Sequence, residues 1–376
     1  MRKLELVDLK TQYKNIQKEV DKAILEVLET TSFINGPAVS DFKSGLSKYL
    51  NNTEVVPCAN GTDALQICMM ALNLKPGDEV IVPSFTYAAT AEVIALLGLI
   101  PRFVDVDEHS FNLDTSKLAE SIGPKSKAIV PVHLFGQCAD MEPILRIAKE
   151  NNLYVIEDLA QAIGAEYTSS SGVKDFAGNW GHVGATSFFP SKNLGCYGDG
   201  GAIITKDVEL AQICQKIANH GQSGLYYHEI VGVNSRLDSI QAAILNVKLQ
   251  LLEKYTKARN EAASMYDERL SNISALRIPF RFNQSTHVFH QYTLTILNGT
   301  RDQLQAELNS KGIPNKVYYP VPLHLQKAYN LVGYKVGDIP VSEKLSNAVL
   351  SLPMHTELDE EQIDFISDCI RKFYLN

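Results

Sequence analysis

Apolar positions in the first fifty residues fall at helical spacing. Ile16, Val20, Ile24, Val27 and Leu28 share one face, and after a turn at Asn35-Gly36-Pro37 a second helical stretch covers 39–50. From Glu54 the pattern changes to short β-rich runs, each followed by a helical stretch. Val55-Val56 precedes a helix over 62–72, Val80-Ile81-Val82 one over 88–97, Phe103-Val104 one over 115–122, and the run 128–132 one over 141–150. A further strand, 153–156, leads into a loop region. This alternation predicts an α/β protein with a mostly parallel sheet and helices on both faces. Ligands in such sheets sit beyond the carboxyl ends of the strands.

The next apolar run, 185–189, is broken by Pro190 and followed by Lys192 in a glycine-rich loop, before a second strand over 201–205. A helix over 207–218 leads to a loop, 220–232, that carries Tyr226, Tyr227 and His228. The stretch 237–270 contains no proline or glycine and reads as one long helix joining two domains. Beyond about residue 271 come a strand over 290–297, a helix over 300–311, the loop Tyr318-Tyr319-Pro320-Val321-Pro322 and a closing helix over 359–373, an α+β pattern. The expected division is a large domain, 1–250, with an N-terminal helical segment, and a small C-terminal domain, 251–376.

Composition narrows the class. A chain of 376 residues, 45% of them hydrophobic, is ample for more than one structural unit. With 35 Lys+Arg against 43 Asp+Glu, a net charge of −8 and no basic run, nucleic acid is not an expected partner. Glu5, Asp8 and Lys10 interrupt the N-terminus where a signal peptide needs an apolar core, and the longest apolar run, 93–100, is far short of the ~20 residues that span a bilayer. Six scattered cysteines with no CxxC pair read as reduced, mostly buried residues, which makes the cytoplasm the expected compartment.

Four pieces fall at strand ends. Asn60-Gly61-Thr62-Asp63 opens a helix whose first-turn N–H groups favour an anion such as phosphate, or is a plain N-cap. Glu157-Asp158, with Gln161 beyond it, offers a carboxylate either to cap a helix or to pair with a protonated ring nitrogen. Tyr87, in Ser84-Phe85-Thr86-Tyr87, offers an aromatic face or a core ring. Ser187 with Lys192 is the fourth, and Lys192 is either a solvated lysine or one that forms a Schiff base through a desolvated amine. His287 and His290 form an HxxH with no further ligand nearby in sequence, which favours structural roles over a metal.

Together, Asn60-Gly61-Thr62-Asp63-Ala64-Leu65, Glu157-Asp158 with Gln161, Ser187-Phe188-Phe189-Pro190-Ser191-Lys192, Gly198-Asp199-Gly200-Gly201 and Asn234-Ser235-Arg236-Leu237-Asp238 resemble the DegT/StrS family over nearly the whole chain. The resemblance implies a pyridoxal-phosphate sugar-nucleotide aminotransferase of the aspartate-aminotransferase fold, with a seven-stranded sheet, a small C-terminal domain and a homodimer whose sites lie between subunits. It implies that Lys192 is the Schiff-base lysine, Asp158 the partner of the pyridine nitrogen, Gln161 a contact of the phenolic oxygen and Tyr87 the stacking ring. Gly61, Thr62 and Ser187 would hold the phosphate, with Asn234 of the other subunit. Arg236, Tyr318 and Tyr319 would meet the sugar nucleotide. Within the family, this chain is most similar to the branch that transfers the amino group of L-glutamate to C3 of UDP-2-acetamido-2-deoxy-3-oxo-glucuronic acid in lipopolysaccharide O-antigen biosynthesis. Alternatives are a 3- or 4-keto dTDP- or UDP-6-deoxy sugar as substrate, or a non-catalytic pyridoxal-phosphate-binding regulator. Family members with histidine in place of the lysine are dehydratases, and Lys192 favours transamination. Two departures are Leu159, where the family more often has alanine, and Tyr318, where the branch tends to have histidine.

Overall fold

The computed structural model describes residues 2–375; Met1 and Asn376, the outer ends of the two expected domains, lie outside the described residues. Two helices open the chain, α1 (Leu9–Thr30), capped by the Asp8 carboxylate, and α2 (Pro37–Tyr49), with proline at its first position. Strands and helices then alternate as β1 (Glu54–Cys58), α3 (Gly61–Ala71), β2 (Glu79–Pro83), α4 (Ala89–Leu96), β3 (Ile100–Val104), α5 (Thr115–Leu118), β4 (Ser126–Ile129), α6 (Met141–Glu150) and β5 (Tyr154–Asp158). After a small hairpin of β6 (Glu166–Thr168) and β7 (Lys174–Phe176) come β8 (Val183–Ser187), β9 (Gly201–Thr205) and α7 (Val208–Ala218).

Seven of these strands form one sheet in the order β1-β9-β8-β5-β4-β2-β3. The run from β8 to β3 is parallel, and β9 is antiparallel to both of its neighbours. Both faces are covered, so alternate residues of one strand enter different cores. Val80 and Val82 join a cluster with Ile67, Ile94 and Ile217, while Ile81 joins another with Leu46, Ile144 and Leu245. The periodicity that looked like a plain apolar run is therefore two interleaved faces.

The C-terminal part has its own core. β12 (Leu276–Arg277), β13 (Tyr292–Ile296) and β14 (Val349–Leu352) make a small antiparallel sheet. It is packed by α10 (Arg301–Ser310) and α12 (Glu360–Leu375), with α11 (Pro340–Ala348) leading into β14.

Three boundaries differ from the sequence expectation. The stretch 237–270 is two helices, α8 (Ser239–Leu249) and α9 (Leu252–Leu270), not one. Propensity gives no reason to stop there, but Ala242, Leu245, Leu249 and Leu252 pack under the large sheet, whereas Ala262, Tyr266 and Leu270 pack on the small one. One straight helix cannot present both stripes to two differently placed cores. The strand expected over 185–189 ends at Ser187, and the helix expected over 115–122 is the single turn α5 followed by a 3-10 turn over Ala119–Ser121. The loop 220–232 contains a short hairpin, β10 (Gln222–Gly224) with β11 (Tyr227–His228).

The departure at Leu159 is accommodated locally. Leu159 is fully buried, and a Cβ on Gly178 or Gly184 would come within 3.2 and 2.9 Å of its methyl groups, so two glycines make room for the larger side chain.

Glu157, at the end of β5, is buried with both oxygens in use. Oε1 accepts from the backbone N–H groups of Trp180 and Gly181 at 2.8 and 2.6 Å, and Oε2 accepts from Gly178 N at 2.9 Å and pairs with His133 Nε2 at 2.8 Å. The carboxylate thereby anchors the turn that leads into β8. We predict that Glu157→Gln, which turns an amide NH₂ toward at least one backbone donor, destabilises the protein by about 2 kcal/mol. An unchanged thermal midpoint would contradict the anchoring role.

Candidate active site

Asp158 ends β5 beside Glu157. Its Oδ1 accepts from Ala160 N at 3.1 Å and its Oδ2 from the Thr90 hydroxyl at 2.8 Å. Burial pushes the carboxyl above its ordinary range, and these two donors together with Lys192 act against that push.

Lys192 is carried by a tight loop after β8. Lys192 N donates to Phe189 O and Cys196 N to Phe188 O, both at 2.8 Å. The Lys248 ammonium of α8 donates to Gly195 O at 2.6 Å from a buried position, and Gln241 Oε1 accepts from Tyr197 N at 2.9 Å. Burial lowers the Lys192 amine to about 8, with Asp158 pulling the other way.

The N-terminus of α3 meets the end of β8. The Asn60 side chain caps Asp63 N at 2.8 Å, and a Cβ on Gly61 would stand 2.7 Å from Ser187 Cβ, so glycine is what allows the contact. First-turn N–H groups have no partner within their own helix, which suits an anion held between Gly61, Thr62 and Ser187.

These groups share a cavity of about 780 Å³, which also takes in Tyr87, Gln161, Tyr318 and Tyr319. Gln161 is tied on two sides, Oε1 accepting from Phe135 N at 2.9 Å and Nε2 donating to the Tyr319 hydroxyl at 3.0 Å. Tyr87, 60% exposed, stands 6.3 Å from Tyr319 ring to ring. A larger groove of about 970 Å³ between α1, α2, α8 and α9 holds none of the expected site residues. The cavity at the strand ends is therefore the better candidate.

Asn234 and Arg236 do not line this chain's cavity. Asn234 bridges to Asn219, and the Arg236 guanidinium donates to Asn219 Oδ1 at 3.2 Å. His290 and Gln291 line the cavity although the sequence pattern assigned neither to the site, and Thr90, outside the lining, reaches Asp158 through its hydroxyl. Thr90 stands 68 positions before Asp158 with no local signal, and His290 sat in a run that read as a strand. His287 is structural, its Nδ1 accepting from Phe289 N at 3.0 Å, and no metal-binding group of three or more His, Cys, Asp or Glu occurs among the described residues.

The sequence profile of the DegT/DnrJ/EryC1/StrS aminotransferase family matches residues 14–371. The chain is 46% identical to the UDP-2-acetamido-2-deoxy-3-oxo-D-glucuronate aminotransferase of Pseudomonas aeruginosa, over 96% of this chain and 98% of that one. It is 44% identical to the pleiotropic regulatory protein of Geobacillus stearothermophilus, over 98% of each. A crystal structure of a DegT DnrJ EryC1 StrS aminotransferase from Brucella abortus superposes with a TM-score of 0.93 at 42% identity, covering 99% of this chain and 100% of the other.

The amine of Lys192 gives a direct test. In protein freed of carbonyl ligands with hydroxylamine, acetic anhydride labelling of Lys192 followed by peptide mass spectrometry should be half-maximal near pH 8. Exposed lysines should keep rising toward about pH 10.4. Asp158→Asn removes the attraction that favours the charged amine and should move the Lys192 midpoint lower still. A wild-type midpoint at or above pH 10 would contradict the desolvated amine.

Proposed function

The chain belongs to the DegT/DnrJ/EryC1/StrS aminotransferase family, and from that premise we propose that it transfers the amino group of L-glutamate to the 3-keto carbon of UDP-2-acetamido-2-deoxy-3-oxo-glucuronate, in bacterial surface-polysaccharide biosynthesis. Members of the family depend on pyridoxal phosphate, which when bound supplies an electron sink for the charge left on the reacting carbon. The observation that carries the chemistry is one cavity holding a desolvated Lys192 amine, the buried Asp158 carboxylate and the open end of α3. Those residues fit the cofactor's aldehyde, ring nitrogen and phosphate in turn. The substrate rests on the 46% identical relative.

In this reading Lys192 holds the cofactor at rest. Once free, its Nζ takes the proton from the α-carbon of glutamate and later delivers one to the sugar's C3. Asp158 keeps the ring nitrogen protonated by offering a negative oxygen. Gly61, Thr62 and Ser187 seat the phosphate, Tyr87 covers the ring and Gln161 meets its phenolic oxygen. Among the described residues lining the cavity, Lys192 is the one lysine or arginine, against Asp63, Glu92, Asp158 and Asp199. A nucleoside diphosphate sugar and glutamate are both anionic, so the missing cations favour a homodimer in which Arg236 and Asn234 of a neighbouring copy complete the site. Tyr318 and Tyr319 meet the sugar. We read 1–250 as the cofactor-binding domain and 251–376 as the small one. All six cysteines are free, in keeping with a reducing compartment, the cytoplasm.

The 44% identical pleiotropic regulatory protein favours a second reading, a cofactor-binding regulator without turnover. Assay of the purified protein with glutamate and a panel of 3-keto and 4-keto nucleotide sugars separates the two. The 3-keto uronate should be aminated fastest. Preference for a 6-deoxy sugar would replace the substrate, and amination of none would favour the regulator. In the same assay Asp158→Asn should bind cofactor yet lose on the order of a hundredfold in turnover, since losing such an electrostatic contact costs about 3 kcal/mol. Near-normal turnover would reduce Asp158 to a helix cap.

The shared site has its own test. Lys192→Ala and Asn234→Ala proteins, each impaired alone, should regain part of the activity after subunit exchange, because one site of the hybrid is intact. Absence of recovery despite demonstrated exchange would mean that each site is built within one chain.

A further inference from the structure

Thr90 lies in the first turn of α4, fully buried, among Ala91, Val93 and Ile94, which are equally buried. Packing alone would accept valine there, and a buried hydroxyl without a partner is costly. Its acceptor is Asp158 Oδ2, at 2.8 Å. The same segment of chain carries Tyr87 three residues earlier at the rim of the cavity, so one short stretch sets both the aromatic rim and the carboxylate.

Few other groups hold Asp158. Ala160 N holds Oδ1 at 3.1 Å. Lys192 faces it from the loop after β8, and the Tyr319 phenol faces it from the segment before Pro320. His133 is close, but its two ring nitrogens are occupied by Glu157 Oε2 and by Ala139 N. Thr90 is thus the side-chain donor hydrogen-bonded to Asp158, and a carboxylate gripped by one donor on each oxygen has its plane fixed and its charged form favoured.

We propose that Thr90 is a positioning residue for the transamination, its hydroxyl fixing the rotamer of Asp158 and keeping that carboxylate ionised for the ring nitrogen of the bound cofactor. The inference rests on the role given to Asp158 above. Burial already raises the Asp158 carboxyl, and Thr90 is among the groups opposing it. Loss of the hydroxyl therefore raises it further, and the ionised form is lost at a higher pH as the solution is acidified.

The test compares Thr90→Val, which keeps the shape, with Thr90→Ser, which keeps the hydroxyl. Two quantities are read: the dissociation constant of pyridoxal phosphate against pH, by equilibrium dialysis, and kcat beside KM for glutamate. In Thr90→Val the acid-side weakening of cofactor binding should begin about one pH unit higher, and kcat should fall about tenfold with KM little changed. Thr90→Ser should follow the wild type in both. If the valine protein does not fold, Thr90→Ala against Thr90→Ser makes the same comparison. A merely structural Thr90 would lower the melting temperature in Thr90→Val and leave the pH dependence of binding in place, which overturns the proposal. If Asp158→Asn itself turns over normally, the role of Asp158 fails first; if Asp158→Asn is impaired while Thr90→Val matches wild type, only the present inference falls.

Discussion

The site depends on removing one ammonium from water. Lys192 sits where burial brings its amine from 10.5 to about 8, so that a sizeable fraction is neutral near physiological pH. An amine that is neutral part of the time is a nucleophile and a base; a solvated lysine is neither at neutral pH. The same burial works against the neighbouring carboxylate, since Asp158 is pushed toward its uncharged form. The Thr90 hydroxyl and Ala160 N offset that push on Asp158, whereas nothing comparable restores the charge on Lys192 beyond Asp158 itself.

Holding both groups in so small a volume requires a rigid frame. Parallel strands deliver Asp158 and Ser187 to the same edge of the sheet, because β5 and β8 are neighbours in register. The loop beyond Ser187 closes on itself through Phe188, Phe189 and Cys196, and the ammonium of Lys248 fastens it to α8. Glu157 performs the corresponding service behind the strand, taking three backbone donors and His133. Stability and chemistry are therefore joined at β5, where successive residues serve opposite faces.

The charge inside the cavity is negative apart from Lys192, although the proposed substrates are themselves anions. That imbalance makes sense of an arginine held by Asn219 away from the chain's own cavity. On the proposed reading it also separates two kinds of contact: one chain carries every proposed cofactor residue but Asn234, whereas its cavity offers, among the described residues, a single cation to an anionic sugar nucleotide.

By itself, the sequence determined the alternation of strands and helices, the placing of Asp158, Ser187 and Gly61 close to strand ends, and the isolated Lys192 after a proline break. These are local properties, set by periodicity and by turn residues, although the folded strand over Val183–Ser187 stops two residues before the expected end. The tertiary structure alone decided that 237–270 breaks at Gln250-Leu251, since two cores compete for one helical stripe. It also decided that Gly178 and Gly184 make room for Leu159, that His290 and Gln291 reach the cavity, and that Thr90 reaches Asp158. Such pairings join positions tens to hundreds of residues apart, and no pattern of neighbours along the chain encodes which of many buried threonines will meet a carboxylate. That meeting exists only once the fold brings the start of α4 to the end of β5.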